Sequence, residues 1–400
     1  MENSSLLTGE HVQRTSRKRK LIIGFSCVAL ITVITILLFS NKHKVPFDNG
    51  ENQDDSVIPE TPLLFSKFYP SENPFHPKDP SVDKVEILFE GAGEGLIQVS
   101  VEEASSVSAV LDFDLFPFQK MRDMITITEN TVGKKYTLRV QTPSRLENYH
   151  CSVVGNCGLN FLDSVRNEHC YFYRTGRCEK ILIKIDLKIP SHLKSFVINS
   201  GVVSISNINN SPLHLSEGTQ LKTTVGSIVF DNGISAENGY ANFQSTVGKI
   251  SVKNVNSDKS KFETTVGSIS IKDSSFKNLD TITDVGSIYG SNLKLKSNLF
   301  SRGRVGSTEF KSLDLTNNYD GKLDLHSEVG SVNLDVINFK GEFQLDTKLA
   351  SISVTGDNIT FDKKEGWLDR HWKGHVNAKK PSESDIIIST NVGGVKLSLN

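Results

Sequence analysis

The sequence predicts an all-β protein, a β-solenoid or β-helix of ~20-residue coils carried on a single N-terminal transmembrane helix. Three observations predict it. A short phrase around a glycine recurs eight times in the second half of the chain. Apolar residues alternate with period two on either side of each glycine. One uncharged apolar run lies near the amino end.

The phrase reads TTVGSI, STVGKI, TTVGSI, TDVGSI, GRVGST, SEVGSV, TKLASI and TNVGGV. Its centres are Gly226, Gly248, Gly267, Gly286, Gly306, Gly330, Ala350 and Gly393, the first seven standing 19 to 24 residues apart. With each centre numbered zero, position −5 is apolar in six of eight repeats and position −3 is Thr or Ser in seven. Positions +2 and +4 are almost all apolar. This alternation predicts strands with residues −5, −3, −1, +2 and +4 facing inward. The parity change across zero predicts a corner or bulge, which glycine occupies because it adopts positive φ without steric cost. Ala350 is then the most altered corner. Stacked coils bring the −3 hydroxyls into a ladder that donates to itself or to backbone. At position −2, Asp284, Arg304, Glu328 and Lys348 alternate in charge, which favours in-register stacking.

From Leu21 to Phe39 no residue is charged. A helix of that length spans roughly 29 Å, enough for the hydrocarbon of a bilayer. Arg14, Arg17, Lys18, Arg19 and Lys20 precede it, against Lys42 and Lys44 after it. The positive-inside bias predicts a type II signal anchor with residues 1–20 in the cytosol and the bulk lumenal or extracellular. A cleaved signal peptide is the alternative; the long apolar core and the twenty-residue leader disfavour it. The tail holds Glu2-Asn3-Ser4-Ser5-Leu6-Leu7, an acidic dileucine pattern. It points to a vacuole or lysosome membrane, with ER, Golgi or plasma membrane as alternatives; an ordinary tail is the other reading.

Residues 40–80 are polar and Pro-containing, and predict a flexible stalk. Residues 81–180 predict an N-terminal β region. Within it, an insertion at 151–178 holds Cys151, Cys157, Cys170 and Cys178. Their spacing lacks the paired C-x2-C of common zinc sites. Across a membrane, an even set favours disulfides over metal or free thiols. The solenoid follows over 181–400, interrupted by an insertion at 357–385. That insertion carries Trp367 and Trp372, either as a cap over the open end of the stack or as a sugar-stacking loop. His371 and His375 read as surface loop residues. Glycosylation acceptors are Asn358 and, weakened by Pro212, Asn209.

No nucleophile elbow or phosphate loop is present in the sequence, and no stacked acid pair emerges for glycoside hydrolysis. Lys plus Arg number 45 against 46 Asp plus Glu, so no global basic excess draws nucleic acid. No cofactor or metal is expected.

Ile185-Asp186-Leu187-Lys188-Ile189-Pro190, the strands from Phe196 to Ile205 and the repeated T-x-V-G-S-I phrases resemble the putative adhesin family. This is a β-solenoid domain of bacterial envelopes with fungal relatives. The resemblance covers roughly residues 181–400 and departs from the family by placing Ser where an acid commonly follows the glycine. It implies no catalytic residues. The expected function is non-enzymatic: adhesion, scaffolding, or glycan or protein binding. The alternatives are a carbohydrate-active β-helix enzyme and a module that self-associates through solenoid ends.

Overall fold

The structure is a computed structural model that describes residues 62–63, 66–70, 74–103, 106–146, 172–173, 179–208, 211–315, 319, 321–366, 369–376 and 384–400. They lie within the compact unit Glu60–Asn400. The expected tail and anchor fall outside the described residues, as do the four cysteines of the insertion, of which only Phe172–Tyr173 is described. Among those described, no helix is long and apolar enough to cross a membrane.

Among the described residues the chain is nearly all β, with one many-stranded sheet and a two-stranded one, Pro62–Leu63 against Phe172–Tyr173. Its only helix among the described residues is the short Phe118–Asp123. In the repeat region each strand pairs in parallel with the one about a repeat ahead. Leu213–Val225 pairs with Ile234–Val247, then Val255–Val266, then Ile269–Val285, Leu299–Val305 and Lys322–Val329. The segments that lead into the glycines stay in register: Val225 lies beside Val247, Val266, Val285, Val305 and Val329 in succession. A second row, on the other side of each glycine, runs through Ile228, Ile250, Ile269, Ile288, Thr308 and Val332.

The inward set is −5, −3, +2 and +4. Leu221, Phe243 and Phe262 at −5 are fully buried, and Phe243 stacks on Phe262 with ring centroids 4.9 Å apart. The two polar exceptions, Thr281 and Ser301, are buried side by side and hydrogen-bond at 2.8 Å. Gly290 breaks the apolar rule at +4 because Phe310 of the next repeat occupies its space. A Cβ on Gly290 would come within 2.4 Å of that ring.

Position −1 corrects the expectation. Val225 is 43% and Val266 46% exposed, and Val247, Val285 and Val392 are also exposed. Two outward residues precede each glycine, so the corner spans −1 to +1 and the valines form an outer edge. The glycines have positive φ, +137° at Gly306 for example. Close approach also demands them: a Cβ on Gly306 would lie 2.0 Å from the carbonyl oxygen of Gly286. Ala350 avoids the problem by leaving the positive-φ region that the other seven centres share.

A second corner lies at +6. Asn254, Asp273, Asn292 and Ser312 have φ between 48° and 57°, a region in which Asn and Asp are enriched. Asn292 Nδ2 donates to Asp273 Oδ1 at 2.9 Å.

The last repeat does not stack last. Ser384–Val392 lies between Lys322–Val329 and Gly341–Thr347, parallel to both. Val395–Leu399 lies likewise between Val332–Ile337 and Ile352–Gly356. Glu328 therefore neighbours Asn391 rather than Lys348, and the expected charge ladder ends there. Of it, Arg304 and Glu328 stand 3.8 Å apart.

Beyond Gly341–Thr347 the insertion adds two antiparallel strands, Arg370–Val376 and then Ile359–Glu365. Toward the amino end, Lys84–Glu90 continues the first row and pairs with Lys135–Gln141. Within the segment expected as stalk, Ser66–Phe68 pairs antiparallel with Phe113, Asp114 and Leu115. Phe68 and Phe75 pack on the core. That core is continuous from Val82 to Leu399.

Candidate functional site

Outward positions of the parallel rows form the accessible faces, and one shallow depression stands out chemically. It has a volume of about 310 Å³ and is lined by Tyr240, Asn242, Lys259, Lys261, Asn278 and Asp280 around Ala241 and Ser260. Register builds it. Tyr240 pairs with Lys259 and Lys259 with Asn278; Asn242 pairs with Lys261 and Lys261 with Asp280. Alternate residues on three adjacent strands thus make two rows of three, with a coil spacing of about 4.8 Å.

Tyr240 owes its position to a register shift between Ala236 and Tyr240 and to Gly218 in the neighbouring strand. A Cβ on Gly218 would stand 2.9 Å from Tyr240 Cδ1. The tyrosine is 40% exposed.

The polar groups here are largely unpartnered. Asn242 Oδ1 is buried with no hydrogen-bond partner. Burial holds the Asp280 carboxyl above the usual carboxylate range, while the Lys261 ammonium pulls it the other way. Lys261 itself pairs with Glu263 at 2.9 Å. Asn278 Oδ1 accepts from Asn298 at 3.0 Å, which leaves its own amide NH2 directed elsewhere.

Two other polar groupings carry more internal pairing, although Asp112 Oδ1 is likewise buried without a hydrogen-bond partner. A depression of about 290 Å³ holds Glu309, Lys311, Ser312, Asp335 and Lys396. There Lys311 pairs with Glu309 at 3.2 Å and lies over the Tyr289 ring. Asp335 accepts from Asn400 and from the Ser312 amide. Near the amino end, burial raises Asp112 and Asp114. Register sets Lys184 opposite Asp112 and Lys67 opposite Asp114, a cross-strand charge pairing.

Of the residues singled out in the sequence, Trp372 lies on the strand Arg370–Val376. It meets Phe361 edge-on at 5.6 Å, and Lys364 Nζ sits 4.8 Å from its ring centroid. His371 and His375 are on this strand rather than in a loop, hydrogen-bonded to Asp346 and Asp362. Among the described residues no group of His, Cys, Asp or Glu is arranged to hold a metal. Asn358 is exposed at a turn with φ 57°. Gly226, Gly248, Gly267, Gly286, Gly306, Gly330 and Gly393 all occupy corners. Glu2, Leu6, Leu7, Cys151, Cys157, Cys170, Cys178, Asn209 and Trp367 lie outside the described residues. The depression itself escaped sequence reasoning, which tracked inward positions. Its signal was the polar and aromatic run at positions −8 and −6 of three successive repeats.

No family profile matches the chain, and no curated protein matches it. Among solved structures, a protein of Clostridium sporogenes described as a putative cell adhesion protein aligns over 84% of this chain and 100% of its own. The identity is 13% and the TM-score 0.19, a score at which the likeness carries no inference.

Proposed function

We propose that this chain is a non-enzymatic, single-pass membrane protein that displays an adhesin-like β-solenoid for glycan or protein binding. The observation that carries this reading is the coil-on-coil register from Val225 to Val329 and on to Val392. Such stacking turns single outward residues into long, regular rows, a geometry suited to extended binding surfaces. Leu21–Phe39 is the anchor, and Glu2, Leu6 and Leu7 direct the chain to a vacuole or lysosome membrane. Cys151, Cys157, Cys170 and Cys178 then stand on the oxidising side and pair as disulfides. Self-association through the carboxyl-side end is disfavoured by the charged edge strand Ile359–Glu365, which carries Asp362, Lys363, Lys364 and Glu365.

The test is the location of the carboxyl end. A tag after Asn400 should be protease-protected in intact organelles and should leave the vacuole or lysosome in Leu6→Ala/Leu7→Ala. A protected tag elsewhere in the secretory route retires the sorting signal. A cytosolic, protease-sensitive tag overturns the display reading.

A further inference from the structure

We propose that the depression formed by Tyr240, Asn242, Lys259, Lys261, Asn278 and Asp280 binds a neutral hexopyranose through its ring face and a vicinal diol. This rests on the display reading above and assigns its ligand to one place.

Three features of the site argue for a sugar. The tyrosine ring is exposed beside the polar ends of Asn242, Lys259 and Asn278. Such a ring offers its face to the C–H side of a pyranose while the ligand's rim stays polar. Next, the neighbouring acceptors lack donors. Asn242 Oδ1 is buried and unpartnered, and no hydrogen bond or salt bridge within the described residues engages the Asp280 carboxyl. A hydroxylated ligand in the depression supplies donors to the exposed Asp280 carboxylate. Adjacent hydroxyls of a diol suit a carboxylate, which accepts at two oxygens. Finally, Lys259, which forms no ion pair within the described residues, and the amide of Asn278 provide donors on the opposite row for hydroxyl or ring oxygens. Acceptors and donors therefore face one another across a space of about 310 Å³, the lower end of the range for small-molecule sites.

A peptide strand is a poorer fit. The three strands that carry the grid are bonded on both edges, so no free backbone edge is offered for strand addition. The openness of the site and its single aromatic ring imply millimolar affinity for a monosaccharide. Tighter retention requires several copies of the chain on one surface.

The experiment is saturation-transfer NMR on the full chain in a detergent without a sugar headgroup. The probes are the methyl glycosides of mannose, glucose and galactose. At least one should show saturable transfer, strongest at the ring protons of the face that meets Tyr240. Tyr240→Ala and Asp280→Asn should each weaken it by about tenfold or more. Tyr240→Phe, which keeps the ring, should retain most of it, and Lys222→Ala, elsewhere on the same face, should not alter it. Circular dichroism and melting of each variant establish that it is folded. Saturable binding that survives both Tyr240→Ala and Asp280→Asn overturns this site while leaving the display reading intact. No saturable binding of any of the three glycosides also overturns it, and the position of the carboxyl tag then judges the display reading separately.

Discussion

The Thr264 hydroxyl donates to the carbonyl oxygen of Gly248, one repeat earlier, at 3.1 Å. The same bond recurs from Ser245 to Gly226, Thr283 to Gly267, Thr390 to Gly330 and Thr347 to Gly393. The corner glycine thus has two roles. Its missing Cβ lets the preceding coil approach, and its carbonyl receives the hydroxyl of the coil that follows. Two repeats lack the bond: position −3 is Gly303 before Gly306, and before Gly330 the buried Ser327 hydroxyl has no partner.

Thr264→Val keeps the shape of a fully buried side chain and removes the donor. It should cost about 1–2 kcal/mol in a urea titration. Val266→Thr, two residues along on the exposed edge, should stay within about 0.5 kcal/mol. Equal costs at the two positions would contradict the assignment of −3 as inward and −1 as outward.

Gly306→Ala forces a Cβ to within 2.0 Å of the Gly286 carbonyl oxygen at φ +137°. The expected loss exceeds about 4 kcal/mol, seen as failure to fold or a large drop in melting temperature. The reverse change at the odd corner, Ala350→Gly, should cost less than about 1 kcal/mol, chiefly through unfolded-chain entropy.

Trp372→Ala should loosen the two antiparallel strands of the insertion without unfolding the remainder. Trp372 is partly buried against the core, with Phe361 and Lys364 over it. Hydrogen exchange should accelerate in 359–365 and 370–376 and remain slow in 255–305. A variant as protected as the parent would speak for the reading of Trp372 as a binding residue over its reading as a cap.

Stability should carry the mark of Asp280. Burial raises its carboxyl in the folded chain, so the stabilising form is the neutral one. That contribution is complete below the unfolded carboxylate value of about 3.9 and is lost as pH rises through the folded value. Asp280→Asn should therefore raise the melting temperature near neutral pH and change it little in acid. A gain confined to acid would reverse the sign and reject the assignment.

Much of the architecture was legible in the sequence because the repeat is written in residues with few substitutes. Gly at a positive-φ corner, Thr or Ser at −3 and apolar residues at −5 and +2 fixed the strand pattern and its period. The reading of −1 as inward failed because period-two counting was carried one residue too far. Val225 and its counterparts already belong to the bend. The second corner was present as Asn254, Asp273 and Asn292 at a constant offset from the glycine, a regularity that the apolar pattern does not show because these residues are polar. The order of stacking could not follow from repeat order once an insertion separated Ala350 from Gly393. The candidate site was hidden for a related reason. Its six residues come from three strands, and only the register shift before Tyr240 decides which of them align.

The placement of residues 384–400 inside the stack has a consequence for how the protein is made. A ribosome delivers these strands after Gly341–Gly356 and after the insertion that covers that end. Yet they lie between Lys322–Val329 and Gly341–Thr347. Parallel pairing of successive repeats in sequence order can therefore proceed only as far as residue 337. The final pairing of 384–400 is then completed out of sequence order, after 341–356 has been made.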